Sequence, residues 1–191
     1  HLLPAQQLAM MLRGEAKVVF AASGLSKNPF FERGEFAFHD VDAAPLWPPV
    51  QFVKRGGRGF FQSLSMLREV KPDVVVGFGS YHAFPVLAAA AMLRKKIVLY
   101  EANSVLGKVN RLFAPFAKVL ALQFPLQKKV WARQEYVSYF PWLTEEKRLE
   151  KEEARAFYGF DLSSPVCLVF GGSQGAAFLN QIAPKVLASC Q

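Results

Sequence analysis

The chain has 191 residues, 52% of them hydrophobic and 18 of them phenylalanine, which excludes general disorder and supplies a core sizeable enough for one or two domains. Two isolated cysteines, Cys167 and Cys190, exclude a disulfide framework and point to a reducing compartment. The formal net charge of +8 is uneven: residues 1–142 carry 18 Lys and Arg against 9 Asp and Glu, whereas residues 143–191 carry 5 against 6. A basic first segment suggests nucleic acid or an anionic membrane, between which the accompanying side chains decide, and a merely solvated face stays open beside both.

In chain order, residues 1–14 read as a helix with Leu8, Met11 and Leu12 on one face, Pro4 in the first turn and Gly14 as its stop. It carries no signal-peptide pattern and arrives without a strand before it, so a fragment is expected. Residues 18–22 read as a strand and 36–39 as a weaker one, and Pro45, Pro48 and Pro49 mark an irregular connection. After a loop over 54–59 comes a helix over 60–70 with more large apolar groups than one buried stripe needs. Residues 72–85 hold a second apolar strand that ends in a glycine turn, followed by a helix to Leu93. That stretch, 83–93, is the longest apolar one; it contains Pro85 and falls short of the roughly 20 residues that span a bilayer. Residues 97–103 form a third buried strand with Glu101 and Asn103 at its carboxyl end, where parallel sheets gather functional side chains. A helix at 107–113 and strands at 119–122 and 136–139 complete an alternating unit, and a linker follows at Pro141. Thr144 is placed to cap a charged helix over 145–158 that Gly159 ends.

The strongest local signal is the strand, turn and helix of 166–181. Val166, Leu168, Val169 and Phe170 are apolar on both faces, as a central parallel strand requires. Gly171, Gly172 and Gly175 let the backbone turn and a ligand approach, while Ser173 and Gln174 offer polar side chains. The free amides of the following helix, with its macrodipole, attract an anion such as a nucleotide diphosphate. The pattern is neither Gly-x-Gly-x-x-Gly nor a Walker A loop, and a tight turn that binds nothing stays open beside the phosphate reading.

Several motifs occur together and in order: His1-x-x-Pro4-Ala5 with a following Leu8-Ala9, the run 71–79 from Lys71-Pro72-Asp73 to Gly77-Phe78-Gly79, Tyr100-Glu101-Ala102-Asn103, the stretch 107–124, and Gly171-Gly172-Ser173-Gln174-Gly175-Ala176. Along nearly the whole chain they resemble the MurG family of N-acetylglucosaminyltransferases. The resemblance implies an α/β fold of the GT-B type, a Rossmann-like parallel sheet flanked by helices. Residues 1–140 would be an acceptor and membrane-side domain lacking its first strand, and 141–191 a linker with the opening of a nucleotide-sugar domain. It also implies transfer of N-acetylglucosamine from UDP-N-acetylglucosamine to an undecaprenyl-linked muramyl-pentapeptide.

By the same resemblance His1 matches the histidine that closes the family's first glycine-rich turn and serves as a base. Asn103 matches a donor-binding asparagine, Glu101 the catalytic acid two positions earlier, and Ser173 a nucleotide-contacting serine beside Gly171, Gly172, Gln174 and Gly175. Two places depart from the family pattern. Gly79-Ser80-Tyr81-His82-Ala83-Phe84-Pro85 stands where Gly-Gly-Tyr-x-Ser-Gly-Pro is usual, and Phe140-Pro141-Trp142-Leu143 where Asn-Pro-x-Arg is usual, which removes a donor-binding arginine. Apart from the resemblance, His1 is a polar helix-end residue, Asn103 a satisfied loop amide and Glu101 half of an ion pair, and His39 and His82 are structural.

An inverting transfer needs a base for the acceptor hydroxyl and positive potential for departing UDP, which imidazole and helix amides supply without a metal cluster; a divalent cation can assist. A lipid-linked acceptor implies a peripheral protein on the cytoplasmic face of the bacterial inner membrane, with no nucleic acid among its partners and other cell-wall synthesis proteins beside it. Phe60, Phe61, Lys54, Arg55, Arg58, Arg94, Lys95 and Lys96 are the expected contacts with an anionic membrane surface, against the alternative that both phenylalanines pack inward. Two other classes stay open: another nucleotide-sugar enzyme of the same architecture, such as an epimerase, and an inert fragment of a longer enzyme.

Overall fold

A computed structural model describes residues 1–45, 50, 52–137, 149–171 and 176–188. The chain divides into two compact units, His1–Trp142 and Leu143–Gln191.

The first unit is an alternating α/β structure. Helix α1 (Leu2–Met11) leads into strand β1 (Val19–Ala22), which pairs in parallel with β2 (Ala37–Asp40) through Val19 opposite Ala37 and Ala22 opposite Asp40. A single π-helical turn, Phe52–Gly56, runs into α2 (Gly57–Val70). Then come β3 (Val74–Gly77), α3 (Phe84–Met92), β4 (Lys96–Glu101), α4 (Lys108–Phe113), β5 (Val119–Leu122) and β6 (Gln134–Tyr136). The last four strands form one parallel sheet in the order β3-β4-β5-β6, with Val76 opposite Val98 and Leu99 opposite Leu120. The helices return the chain from the carboxyl edge of one strand to the amino edge of the next, and their apolar stripes cover the sheet. Leu87, Ala89, Ala90, Ile97, Leu99, Leu120 and Leu122 lie at the centre of the resulting core.

Several expectations change. Residues 54–59 are helical rather than a loop, and α2 approaches the chain after β2 closely at Gly59; a Cβ there would stand 1.6 Å from the Asp42 carbonyl oxygen. Helix α1 buries Gln6 and Ala9 and leaves Met11 exposed. Gln6 is held at both ends of its amide, donating through Nε2 to the Phe30 carbonyl (3.0 Å) and accepting the Glu32 N–H on Oε1 (2.9 Å), so a polar residue docks this helix. The strand read at 136–139 begins at Gln134 instead.

The second unit holds α5 (Lys151–Tyr158) and α6 (Ala177–Ala188). Helix α5 starts later than the sequence pattern predicts, with Glu150 as its cap and Glu153 completing a capping box, and it ends as expected at Gly159 with φ +69°. Residues 166–170 are not a strand, and Leu168 and Phe170 are exposed. A strand exists by pairing, and among the described residues of this unit no other strand offers its N–H and C=O groups. Cys167 is accordingly an exposed free thiol rather than a buried one. Gly172, Ser173, Gln174, Gly175, Thr144, Cys190 and the linker around Pro141 lie outside the described residues.

Candidate functional site

The carboxyl edge of the four-stranded sheet carries the polar residues that the apolar strands cannot bury. Strand β3 ends at Gly77, and the chain turns through Phe78 and Gly79, the latter at φ +85°, a backbone region that favours glycine. A Cβ on Gly79 would also stand 2.8 Å from Asn110 Nδ2, so conformation and space both require glycine here. The His1 ring at the amino end of α1 meets this turn, with Nδ1 2.5 Å from the Phe78 carbonyl oxygen. A carbonyl only accepts, so Nδ1 carries the proton and Nε2 of the neutral ring keeps a free lone pair.

Strand β4 ends in Tyr100 and Glu101. Glu101 is only 4% exposed, and among the described residues no cation is paired with it; its carboxylate accepts four N–H groups instead. Oε1 takes the Asn103 backbone N–H (3.2 Å) and side-chain Nδ2 (2.9 Å), and Oε2 takes the Gly107 N–H (2.9 Å) and Asn110 Nδ2 (3.0 Å). Asn110 also donates to the Tyr100 carbonyl (2.8 Å), while its buried Oδ1 lacks a partner among the described residues. The ion pair considered for Glu101 is therefore replaced by a buried cage of amides. A carboxylate so occupied has little capacity left to take a substrate proton.

Asn103 is exposed at the mouth of this cage. Around it the segment turns back to Gly107, whose position faces Glu101 Oε2 and the Gly79 carbonyl at 3.6 and 3.8 Å from a Cβ built there. His1, the Phe78–Gly79 turn, Glu101 and Asn103 thus form one continuous set of contacts. The sequence reading missed Asn110; its signal is a polar residue between the buried Val109 and Phe113 of α4, where an apolar one would suffice.

The divergent turn is closed by packing. Phe84 meets Phe52 (5.2 Å between centroids) and Phe113 (5.4 Å), so the bulk that replaces a small residue is taken up by the turn before α2. His82 stacks on Tyr81 at 4.0 Å, and its carbonyl accepts the Ser23 N–H at the end of β1. Burial pulls the His82 imidazole below its ordinary value, and its Nδ1 is buried without a partner among the described residues.

The basic residues expected to act together are separated. Gly59 near the start of α2 packs on Asp42 after β2 and on Pro85 at the start of α3, which places Lys54, Arg55, Arg58, Phe60 and Phe61 at the carboxyl edge of the strands. Arg94 and Lys95 lead into β4, which Lys96 opens at the opposite edge, and Lys95 Nζ is tied to the Pro72 carbonyl (3.1 Å). Arg58 faces Asp42 at 3.2 Å, and Phe60 packs against the core. Phe61 is 70% exposed and Val53 69%. Among the described residues no group of three or more His, Cys, Asp and Glu side chains is placed to hold a metal ion.

Residues 1–122 match the glycosyltransferase family 28 N-terminal domain. The chain is 40% identical, over 95% of its length, to the UDP-N-acetylglucosamine--N-acetylmuramyl-(pentapeptide) pyrophosphoryl-undecaprenol N-acetylglucosamine transferase of Protochlamydia amoebophila, covering 51% of that protein. It is 36% identical to the protein of the same name from Thermus thermophilus, over 98% of this chain and 56% of that one. The crystal structure of Acinetobacter baumannii MurG superimposes with a TM-score of 0.61 at 24% identity, over 77% of this chain and 44% of that one, a likeness of fold. The chain spans about half the length of the curated relatives it matches. It belongs to glycosyltransferase family 28, with the N-terminal domain of that family in residues 1–122.

Proposed function

We propose that the protein of which this chain is a part transfers N-acetylglucosamine from UDP-N-acetylglucosamine to an undecaprenyl-pyrophosphoryl muramyl-pentapeptide, as the names of its relatives state for them. The observation that carries the reading is the meeting of His1, the Phe78–Gly79 turn and the Glu101–Asn103 segment at one edge of the sheet. His1 Nε2 takes the proton of the acceptor hydroxyl as that oxygen attacks the anomeric carbon. Asn103 holds the donor sugar. The departing UDP needs positive potential, of the kind that unpaired helix amides supply; no resident metal is needed, and a divalent cation assists at most.

In the same proposal the protein lies on the cytoplasmic face of the inner membrane, touching anionic lipid through Val53, Lys54, Arg55 and Phe61 at the amino end of α2, on the same edge as the site. No helix among the described residues is long and apolar enough to cross a membrane. The test is sugar transfer by the full-length protein, with radiolabelled donor offered with and without lipid acceptor. Label appearing in lipid, and lost with His1→Ala, supports the reading. Turnover of the donor without acceptor would replace it with an epimerase-type reaction. Phe61→Ser, which leaves the core intact, is expected to weaken binding to phosphatidylglycerol vesicles, and equal binding removes the lipid contact.

A further inference from the structure

We propose that Glu101 is a positioning residue: its buried carboxylate fixes which end of the Asn103 amide faces the mouth of the site, and so selects a hydrogen-bond donor, a sugar hydroxyl, as the ligand group bound there. The inference rests on the donor-sugar reading of Asn103 above. A carboxylate met by N–H groups offers only acceptor sites. The Asn103 side chain must therefore turn Nδ2 inward to Glu101 Oε1, as it does at 2.9 Å, and its own backbone N–H is drawn to the same oxygen at 3.2 Å. Oδ1 is then left pointing away from Glu101, with no partner recorded among the described residues. An asparagine free to rotate presents either end of its amide to a ligand; one held by Glu101 keeps its carbonyl oxygen turned away from the carboxylate and has one of its two Nδ2 protons already engaged.

The second oxygen keeps this arrangement in place. Oε2 is anchored by the Gly107 N–H and by Asn110, and Asn110 is itself fixed by the Tyr100 carbonyl at 2.8 Å. The carboxylate cannot rotate to release Asn103 without breaking bonds on both sides. Among the described residues Asn110 Oδ1 stays buried without a partner, an arrangement that costs free energy.

Binding rather than turnover is the readout, in the full-length protein with UDP-N-acetylglucosamine and its 3-, 4- and 6-deoxy sugar analogues. The unaltered protein is expected to bind one deoxy analogue about fivefold to tenfold more weakly than the parent donor, the worth of one hydrogen bond. Glu101→Gln, which can turn an NH2 toward Asn103 and release its orientation, and Asn103→Ala are each expected to collapse that ratio toward one. A variant that merely loosened the fold would weaken all four ligands alike and leave the ratio unchanged. In nuclear magnetic resonance of the 191-residue chain, the Asn103 side-chain proton that meets Glu101 is expected downfield of its ordinary position and to move back toward it in Glu101→Gln. An unchanged ratio in Glu101→Gln, no discrimination in the unaltered protein, or Asn103 side-chain signals at their ordinary positions in the unaltered chain would each overturn the proposal. Absence of sugar transfer with discrimination intact overturns the transferase reading instead.

Discussion

The two units spend similar apolar sequence differently. In His1–Trp142, Leu99 of β4 and Leu120 of β5 are fully buried, each in a strand with neighbours on both sides. In Leu143–Gln191, Leu168 and Phe170 sit in an equally apolar run and are 79% and 76% exposed. A run of large apolar residues therefore states a capacity for burial, and strand pairing decides whether that capacity is used. The comparison breaks most directly by truncation. Leu99→Ala is expected to cost about 3 kcal/mol, the loss typical of a leucine removed from a packed core, in urea denaturation followed by circular dichroism. Leu168→Ala is expected to change stability by no more than about 0.5 kcal/mol, as exposed substitutions do. An equal loss at Leu168 would mean that 166–170 is buried in solution and that the two units are alike.

The same contrast explains what the sequence made legible. Strands β3, β4 and β5 and helices α3 and α4 announce themselves by apolar runs bounded by Gly and Pro, and their neighbours are supplied within a few dozen residues, so the α/β alternation and its polar carboxyl edge follow from local pattern. Glu101 and Asn103 are found at the end of their strand for the same reason. The role of Glu101 was not legible, because it depends on the approach of Gly107 and Asn110, which no spacing encodes. Nor was the separation of Lys54–Phe61 from Arg94–Lys96 legible: both are basic stretches, and only the direction of α2 against the strands sends them to opposite edges. Gln6 was passed over since the helical pattern favours Leu8 and Met11, whereas the buried face is set by the Phe30 and Glu32 backbone.

Two glycines sharpen the difference at a smaller scale. Gly59 has an ordinary helical backbone, but a Cβ would collide with the Asp42 carbonyl and crowd Pro85. Gly59→Ala must push α2 outward, and a loss of about 2 kcal/mol is expected, in the range of overpacked cores. Gly159 has open space around it and a left-handed φ of +69°. Gly159→Ala therefore pays only in backbone conformation, about 1 kcal/mol, and the loss should appear as faster amide exchange in α5 with α2 unaffected. If Gly59→Ala were the milder of the two, the close approach of α2 to Asp42 and Pro85 would not exist in solution.

Acid should separate the units by the pH at which each begins to loosen. Burial favours the neutral ring of His82, so its folded value lies below the ordinary 6.5, and in the range beneath 6.5 the unfolded chain binds more protons than the folded one. The stability this supplies is whole above 6.5 and drains as the pH falls toward the folded value. In the second unit, hydrogen bonds from the Ser163 hydroxyl and backbone, then the Ser164 backbone, hold the Asp161 carboxyl below its ordinary 3.8. Its contribution is present above 3.8 and is lost only beneath it. Between these values the first unit should soften while the second does not, seen as faster hydrogen exchange at Ser23, whose N–H is held by the His82 carbonyl, with exchange at Ser163 and Ser164 unchanged. His82→Gln should flatten the response of Ser23 between 6.5 and 3.8. A Ser23 response that survives the substitution would assign the acid sensitivity to another group and remove the buried imidazole from the account.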